Sequence, residues 1–199
     1  MEKFTTLAGA AAPLTRANID TDTIIRIERL TGIRREEMGA YAFEALRGEP
    51  DFVLSRPEFQ DTPILIGGAN FGCGSSREGA VWALMGMGLR CVIAESFGDI
   101  FFNNCFQNGM LPIALPAEHI SLLADQCAGG NARVTVDLQR QVVIAPRGEE
   151  IPFTIDAMRR EALLEGLDDI GLTLKHEAAI DAYHAGDSAA RPWVWQPGV

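Results

Sequence analysis

Strand-like and helix-like segments alternate in the middle of the chain, and this alternation restricts the fold more than any other feature. Short apolar runs bounded by turn residues alternate there with segments of helical spacing: 63–67, 78–87, 90–94, 99–108 and 111–115. The order strand, helix, strand, helix, strand needs two right-handed crossovers, which place the strands parallel in one sheet. The predicted fold class is therefore α/β. Ligands of parallel sheets gather where strands lead into helices, so the loop 67–77 is the first candidate for a site.

The flanking regions predict a smaller set of elements. Residues 134–138 and 141–145 are typical of an antiparallel hairpin that turns at 139–140. Upstream, the segment 31–48 is charged at first and then helical in pattern, which we interpret as a mobile segment with one helix. Further helices are predicted by apolar spacing near 156–165 and 176–184.

The composition excludes several classes of partner. With 199 residues, 47% of them hydrophobic, the chain can bury a sizeable core. It has 17 Lys plus Arg against 27 Asp plus Glu, a formal charge of -10, so no nucleic acid and no membrane is expected as a partner. Its apolar runs are far shorter than a membrane span of about 20 residues, and no signal peptide is recognisable. We therefore expect a cytoplasmic protein.

Cysteine and histidine spacing predicts no metal site within this chain. The four cysteines, at 73, 91, 105 and 127, fit neither a zinc nor an iron-sulfur motif. The three histidines stand apart in the sequence, and none is near Cys73 to act as its base. We expect reduced thiols that mostly fill the core. Any metal would have to come from elsewhere.

The most informative stretch is the glycine-rich run from Gly67 to Glu78, which opens a predicted helix. Its glycines allow backbone to approach a ligand closely, and the free N–H groups of a helix start favour an anion. The phosphate-loop pattern fails because Cys73 stands where Lys is required, and the dinucleotide pattern fails because Arg77 stands where a third Gly is required. The run therefore predicts an anion pocket with two hydroxyls and an arginine.

A purely structural interpretation of this run stays open. Ser75-x-x-Glu78 is a capping-box pattern, in which Ser75 would only satisfy the helix start. Arg77 favours a ligand instead, because a cation at a helix N-terminus opposes the helix dipole and suits a carboxylate. The polar run 18–25 could bind a ligand or form an ordinary turn. Asn103-Asn104 is expected to be a packed, hydrogen-bonded pair.

Several of these motifs, in order along nearly the whole chain, resemble the family of 3-isopropylmalate dehydratase small subunits in the aconitase superfamily. The residues that carry the resemblance are 18–22, 51–54, 70–78, 96–112, 166–173 and 191–193. The resemblance implies a swivelling β/β/α three-layer domain with a largely parallel central sheet. It further implies a single domain spanning 1–199, with a C-terminal extension from about 156 packed on it.

The resemblance also implies an activity and a partner. The family reaction dehydrates 2-isopropylmalate and rehydrates the product to 3-isopropylmalate, a step of leucine biosynthesis. A separate large subunit, forming a heterodimer or a higher assembly with this chain, is expected to carry a [4Fe-4S] cluster whose iron polarises the leaving hydroxyl. The isolated chain is therefore expected to be colourless and inactive.

Site residues follow from the motif match. Ser75 is the expected catalytic residue, which takes the carbon-bound proton. Arg77 and Ser76 match substrate contacts, and Thr21 and Asp22 match pocket residues on the facing loop.

Two departures from the family pattern leave the substrate open. Arg26 stands where Pro is usual, in a segment that matches a substrate-specificity loop, and Gly79 stands where His is usual. The loop residues expected to set specificity are Arg26, Ile27, Arg29 and Leu30. The substrate could thus be a related acid such as methylmalate, dimethylmalate or homoaconitate. A non-catalytic carboxylate-binding subunit is the third interpretation.

Overall fold

A seven-stranded sheet with helices on both faces forms the molecule, whose computed structural model describes residues 1–130 and 132–195. The strands are β1 (Thr6–Leu14), β2 (Ile64–Gly67), β3 (Cys91–Ala94), β4 (Leu111–Ala114), β5 (Arg133–Asp137), β6 (Val142–Ile144) and β7 (Glu150–Pro152). The helices are α1 (Thr21–Ile24), α2 (Ile27–Leu30), α3 (Glu78–Gly86), α4 (Asp99–Asn108), α5 (Ala117–Cys127), α6 (Ala157–Glu165), α7 (Asp169–Leu174), α8 (Glu177–Ala190) and α9 (Pro192–Trp195). Three 3-10 helices among the described residues lie at Arg35–Tyr41, Val53–Ser55 and Pro57–Phe59.

The sheet has the strand order β4-β3-β2-β1-β5-β6-β7. Neighbours from β4 to β1 are parallel, whereas β5, β6 and β7 continue from β1 as an antiparallel ladder. Because β6 runs in the direction of β1, five of the seven strands point the same way. The predicted α/β class with a largely parallel sheet is confirmed. The β5–β6 hairpin is confirmed too, with a turn over 138–141 that is longer than predicted.

Side-chain alternation along the parallel strands divides the core between the two faces of the sheet. Leu65 and Val92 pack with α3 on one face, whereas Ile64, Ile66 and Ile93 pack with α5 on the other. All five side chains are fully buried. A parallel sheet covered on both faces needs apolar residues at nearly every strand position, which explains why the short apolar runs predict these strands so well.

The sequence does not predict the central strand β1, because its residues are mostly Ala and Gly, which have low strand propensity. In the structure β1 pairs with β2 on one side and with β5 on the other. Tertiary hydrogen bonding thus outweighs local propensity. Helix α5 and strand β7 are likewise absent from the prediction.

The segment 31–48 differs from the predicted helix. The regular structure in this segment is a 3-10 helix over 35–41. Phe43 has a φ of 56°, which is incompatible with a right-handed helix. The backbone of Gly39 packs directly on Gly86 of α3, where a Cβ on Gly39 would lie 2.2 Å from the Gly86 carbonyl carbon. The predicted helix is therefore wrong, because this close backbone contact with α3 decides the conformation.

The C-terminal region has two parts that differ in burial. Helix α6 packs on the sheet through Leu163, which is 0% exposed and accepts the N–H of Phe4 at 2.8 Å. None of the residues of α7, α8 and α9 is buried. The helices predicted near 156–165 and 176–184 are confirmed as α6 and α8, whereas the single domain 1–199 stays a prediction, and residues 131 and 196–199 lie outside the described residues.

No helix in the described part of the chain is both long and apolar enough to cross a membrane.

The predicted pair Asn103-Asn104 is wrong, because the buried amide of α4 is Asn108. Asn103 is exposed and accepts a hydrogen bond from Arg159 at 2.7 Å, whereas Asn108 is only 8% exposed. The helix turns the residue at the end of α4, and not the middle pair, toward α3.

The Asn108 amide joins three segments around α3. Its Oδ1 accepts from Arg35 Nη2 at 3.0 Å and from Trp82 Nε1 at 2.9 Å. Its Nδ2 donates to Glu78 Oε1 at 2.8 Å and to the carbonyl of Asn104 at 2.9 Å. All the donors and the acceptor of this buried amide are therefore satisfied, which ties the start of α3 to α4 and to the 3-10 helix.

We expect Asn108→Ala to lower the free energy of unfolding by about 2 kcal/mol, because it leaves the Trp82 and Glu78 groups without their buried partner. Urea unfolding followed by circular dichroism measures this change. Asn103→Ala is the matched control on the same helix and should cost less than about 1 kcal/mol. Equal losses in the two variants would contradict the role given to the Asn108 amide.

Candidate active site

Two loops meet at the carboxyl ends of β1 and β2 and form the candidate site. The N–H of Gly72 donates to the carbonyl of Ile19 at 2.7 Å, and the N–H of Thr21 donates to the carbonyl of Cys73 at 2.9 Å. Asp20 and Cys73 form a short parallel bridge. The structure therefore brings together the two polar runs that the sequence singled out, 18–25 and 67–78.

Helix α1 starts at this junction and holds the glycine loop. Asp20 caps α1, with its Oδ1 accepting the N–H of Thr23 at 2.7 Å. Thr21 is 2% exposed, and its hydroxyl donates to the carbonyl of Ser75 at 3.0 Å. The Thr21 hydroxyl thus supports the backbone at Ser75 from within the protein.

Left-handed glycines shape the loop before α3. Gly72 has a φ of 70° and Gly74 a φ of 93°, conformations that L-residues with side chains rarely adopt. A Cβ on Gly72 would also lie 2.2 Å from the ring of Phe101. The two reversals leave the side chains of Ser75 and Ser76 exposed.

The capping-box interpretation of this loop is wrong. Helix α3 begins at Glu78 with Arg77 at the N-cap position, so Ser75 lies outside the helix start. The Glu78 carboxylate accepts from Asn108 at 2.8 Å instead of turning back to Ser75. Neither half of a capping box is formed, and Ser75 is not used to terminate the helix.

Arg77 and Asp22 form an ion pair across the two loops. The Arg77 side chain is only 11% exposed, whereas the Asp22 side chain is 58% exposed. Hydrogen bonding to Arg77 lowers the pKa of the Asp22 carboxyl below its ordinary value, and the N–H of Ile27 acts in the same direction. A largely buried guanidinium beside exposed hydroxyls suits a carboxylate ligand.

The predicted specificity segment lies beside this ion pair. Arg26, Ile27, Asp22 and neighbouring residues line an open cavity of about 390 Å³, and Ile27 is 54% exposed. Arg26 is exposed, and its Nε lies 3.7 Å from Glu28 Oε2. The segment therefore offers both an apolar and a cationic side chain at the same cavity.

Arg29 is held away from this cavity by other residues. It makes two hydrogen bonds to the carboxylate of Glu44, at 2.7 and 3.1 Å, and its guanidinium lies 4.2 Å from the centre of the Tyr41 ring. Leu30 packs into the core beside α3. Of the four residues predicted to set specificity, Arg26 and Ile27 thus face the cavity.

Residues after β3 complete the site and are not assigned a role by the sequence analysis. The Ser96 hydroxyl accepts the N–H of Asn70 at 2.8 Å, and the Asn70 amide donates to Asn18 at 2.8 Å. Ser96 follows β3 at the same edge of the sheet as the glycine loop follows β2. Parallel topology alone would have placed it there.

Comparisons with known proteins match families along most of the chain. The aconitase C-terminal domain family matches residues 1–118, the LeuD N-terminal family matches 121–157, and the family of the C-terminal domain of 3-isopropylmalate dehydratase small subunits matches 169–194. The 3-isopropylmalate dehydratase small subunit of Dinoroseobacter shibae is 55% identical over 98% of this chain and 100% of the relative. That of Gluconacetobacter diazotrophicus is 56% identical over 97% of each chain.

The chain belongs to the family of 3-isopropylmalate dehydratase small subunits. The resemblance predicted from its motifs is confirmed. A crystal structure of 3-isopropylmalate dehydratase (LeuD) from Methanocaldococcus jannaschii has the same fold, with a TM-score of 0.68, 26% identity, and coverage of 89% of this chain and 99% of that one. The fold and the family are thus supported by independent comparisons.

As a member of this family, the chain is a subunit of a hydro-lyase. Three of its four cysteines are core residues. Cys91, Cys105 and Cys127 are buried, and burial raises the pKa of each, for Cys127 to about 11. Only Cys73 is partly exposed. Over the described ranges 1–130 and 132–195, no three His, Cys, Asp or Glu side chains come together as a metal ligand set.

We expect the pKa of the Asp22 carboxyl to lie below its ordinary value in the folded chain, because Arg77 stabilises its charged form. Since the pKa is lower when folded, the ion pair stabilises the fold above about pH 4, and this contribution is lost as pH falls through the folded pKa. NMR titration of the side chain measures it, and Arg77→Gln should return the pKa toward the ordinary value.

Glu44 provides the internal control for this titration, because its pKa is lowered by Arg29 and not by Arg77. Arg77→Gln should leave Glu44 unchanged. An Asp22 pKa that does not respond to Arg77→Gln would contradict the ion pair.

Proposed function

We propose that the chain is the small subunit of a 3-isopropylmalate dehydratase, which acts with a large subunit to convert 2-isopropylmalate to 3-isopropylmalate in leucine biosynthesis. The observation that carries the proposal is the loop before α3, in which Ser75 is exposed and Arg77, two residues later, has a largely buried guanidinium. The family membership and the names of the relatives support it. The site has the parts that the reaction requires: a group for the proton and a cation for the carboxylate.

Ser75 takes the carbon-bound proton in this proposal. A serine is a base only when its oxyanion is stabilised, and in this proposal the N–H groups of the glycine loop and of the start of α3 supply that stabilisation. The Thr21 hydroxyl fixes the Ser75 backbone, so the base is held in place before substrate arrives. The glycines at 72 and 74 allow the chain to present the hydroxyl outward.

Arg77 binds a substrate carboxylate through its planar pair of donors, and Ser76 adds a contact beside it. Asp22 orients the guanidinium in the free enzyme and also lines the neighbouring cavity with Arg26 and Ile27. The substrate carboxylate approaches the face of Arg77 that Asp22 now neutralises. Binding therefore positions the carbon-bound proton near Ser75.

The remaining catalytic parts belong to the partner in this proposal. The name small subunit implies a large subunit, to which we assign a [4Fe-4S] cluster. When bound there, the cluster supplies a Lewis acid for the leaving hydroxyl. We further propose that 1–199 form one swivelling domain that closes on the large subunit, and that the complex lies in the cytoplasm.

The apolar side chain at the cavity favours a substrate with an alkyl substituent. Ile27 is exposed there, and Arg29 is occupied by Glu44. A second candidate substrate is an acid with a further carboxylate, such as homoaconitate, because the exposed Arg26 lines the same cavity. The two candidate substrates differ in which side chain of the cavity, Ile27 or Arg26, contacts their substituent, and the proposed catalytic residues are the same for both.

Ser75→Ala should lower kcat at least about 100-fold in the complex reconstituted anaerobically with its large subunit, because proton transfer contributes about that much or more. The measurement is turnover of 2-isopropylmalate, with complex formation checked by gel filtration. Ser121→Ala, an exposed serine on α5, is the control and should keep wild-type activity. Full activity of Ser75→Ala would favour a non-catalytic carboxylate-binding subunit.

The same wild-type complex decides between the substrates. We expect kcat/KM for 2-isopropylmalate to exceed that for homoaconitate by at least about tenfold, equal to about 1.4 kcal/mol of transition-state binding. A preference for homoaconitate would assign the Arg26 side chain to a third carboxylate and replace the proposed substrate.

A further inference from the structure

A close contact between Leu30 and Gly79 joins the two halves of the candidate site. Gly79 is buried in the first turn of α3, two residues after Arg77, and Leu30 is the last residue of α2. A Cβ on Gly79 would lie 2.3 Å from Leu30 Cδ2 and 3.8 Å from Met38 Sδ. Leu30 therefore occupies space that is free only because residue 79 has no side chain.

The opposite end of α2 lies beside the ion pair that precedes α3. Ile27, the first residue of α2, lines the same cavity as Asp22, and Asp22 pairs with Arg77. Arg77 directly precedes α3. The short helix α2 thus lies at its first residue beside the Asp22–Arg77 pair and packs at its last residue on Gly79.

Because α2 is short, a change at Leu30 affects the position of Ile27. Four helical residues rise about 1.5 Å each, so Ile27 and Leu30 are only about one turn apart. Arg29, the residue before Leu30, is held by the Glu44 carboxylate and the Tyr41 ring. A displacement of Leu30 that the backbone of this short helix follows therefore also moves Ile27 at the cavity.

We propose that the contact between Leu30 and Gly79 is a positioning contact. It sets the distance between the Ile27 side chain and the Ser75–Arg77 loop, and thereby selects the size of the alkyl group on the substrate. This inference rests on the proposed function. Leu30 and Gly79 act through Ile27 and make no contact with the substrate. Their effect is therefore on discrimination between acids, and not on proton transfer.

The test is Gly79→Ala in the reconstituted complex, with 2-isopropylmalate as the substrate and 2-methylmalate as a competitor of it. Measured as a competitor, 2-methylmalate yields an affinity whether or not it is turned over. Gly79→Ala displaces Leu30, so KM for 2-isopropylmalate should rise at least fivefold. The inhibition constant for 2-methylmalate, whose methyl group is smaller than isopropyl and makes less contact with the Ile27 side chain, should change less than twofold.

Leu30→Ala combined with Gly79→Ala supplies the decisive comparison. Truncating Leu30 makes room for the new methyl group, so in the double variant KM for 2-isopropylmalate should return to within twofold of wild type. Gly186→Ala, a helical glycine of α8 with nothing within 4 Å of an added Cβ, is the matched control and should change neither value. Equal changes for both acids, or no recovery in the double variant, would overturn the proposal.

Leu30→Ala alone keeps the proposal falsifiable if Gly79→Ala does not fold. It removes the same contact from the other side and should raise KM for 2-isopropylmalate more than the inhibition constant for 2-methylmalate, and an equal effect overturns the inference. Failure of the proposed function is a separate outcome, in which the wild-type complex turns over no malate-type acid. The contact is then tested by methyl NMR of Ile27 in the isolated chain, whose signal must shift in Gly79→Ala and not in Gly186→Ala.

Discussion

The backbone hydrogen bonds between the loop after β1 and the loop after β2 are the interaction on which the candidate site depends. Gly72 donates to Ile19 and Thr21 donates to Cys73, so neither loop can move without the other. Because the bonds join main-chain atoms, they fix the path of both loops independently of side chains. The ion pair, the exposed serines and the capped start of α1 all follow from that fixed path.

Much of this architecture is predictable from local patterns. The parallel strands β2, β3 and β4 and the helices α3 and α4 carry their signals in short apolar runs, since each strand is buried on both faces. The glycine-rich run 67–78 likewise predicts a ligand-binding loop before α3. Its neighbour at 18–25 is ambiguous by itself, and only the motif order of the family links it to the same site.

What local patterns miss is decided by long-range contacts. Strand β1 lies in the centre of the sheet although its residues have low strand propensity, because partners on both sides pair with it. The 3-10 helix at 35–41 is set by backbone packing against Gly86, and Asn108 is buried because three distant groups satisfy its amide. Such contacts depend on residues dozens of positions away, so no window of sequence contains them.

The ion pair between Asp22 and Arg77 changes the free energy of binding a carboxylate at this site. The guanidinium is already withdrawn from water and faces a carboxylate before any substrate arrives. In the proposed binding mode, an incoming substrate carboxylate exchanges with a carboxylate of the protein and does not displace a full hydration shell. The substrate affinity in that mode is the difference between two similar ion pairs, which keeps binding moderate for the substrate and for its isomeric product alike.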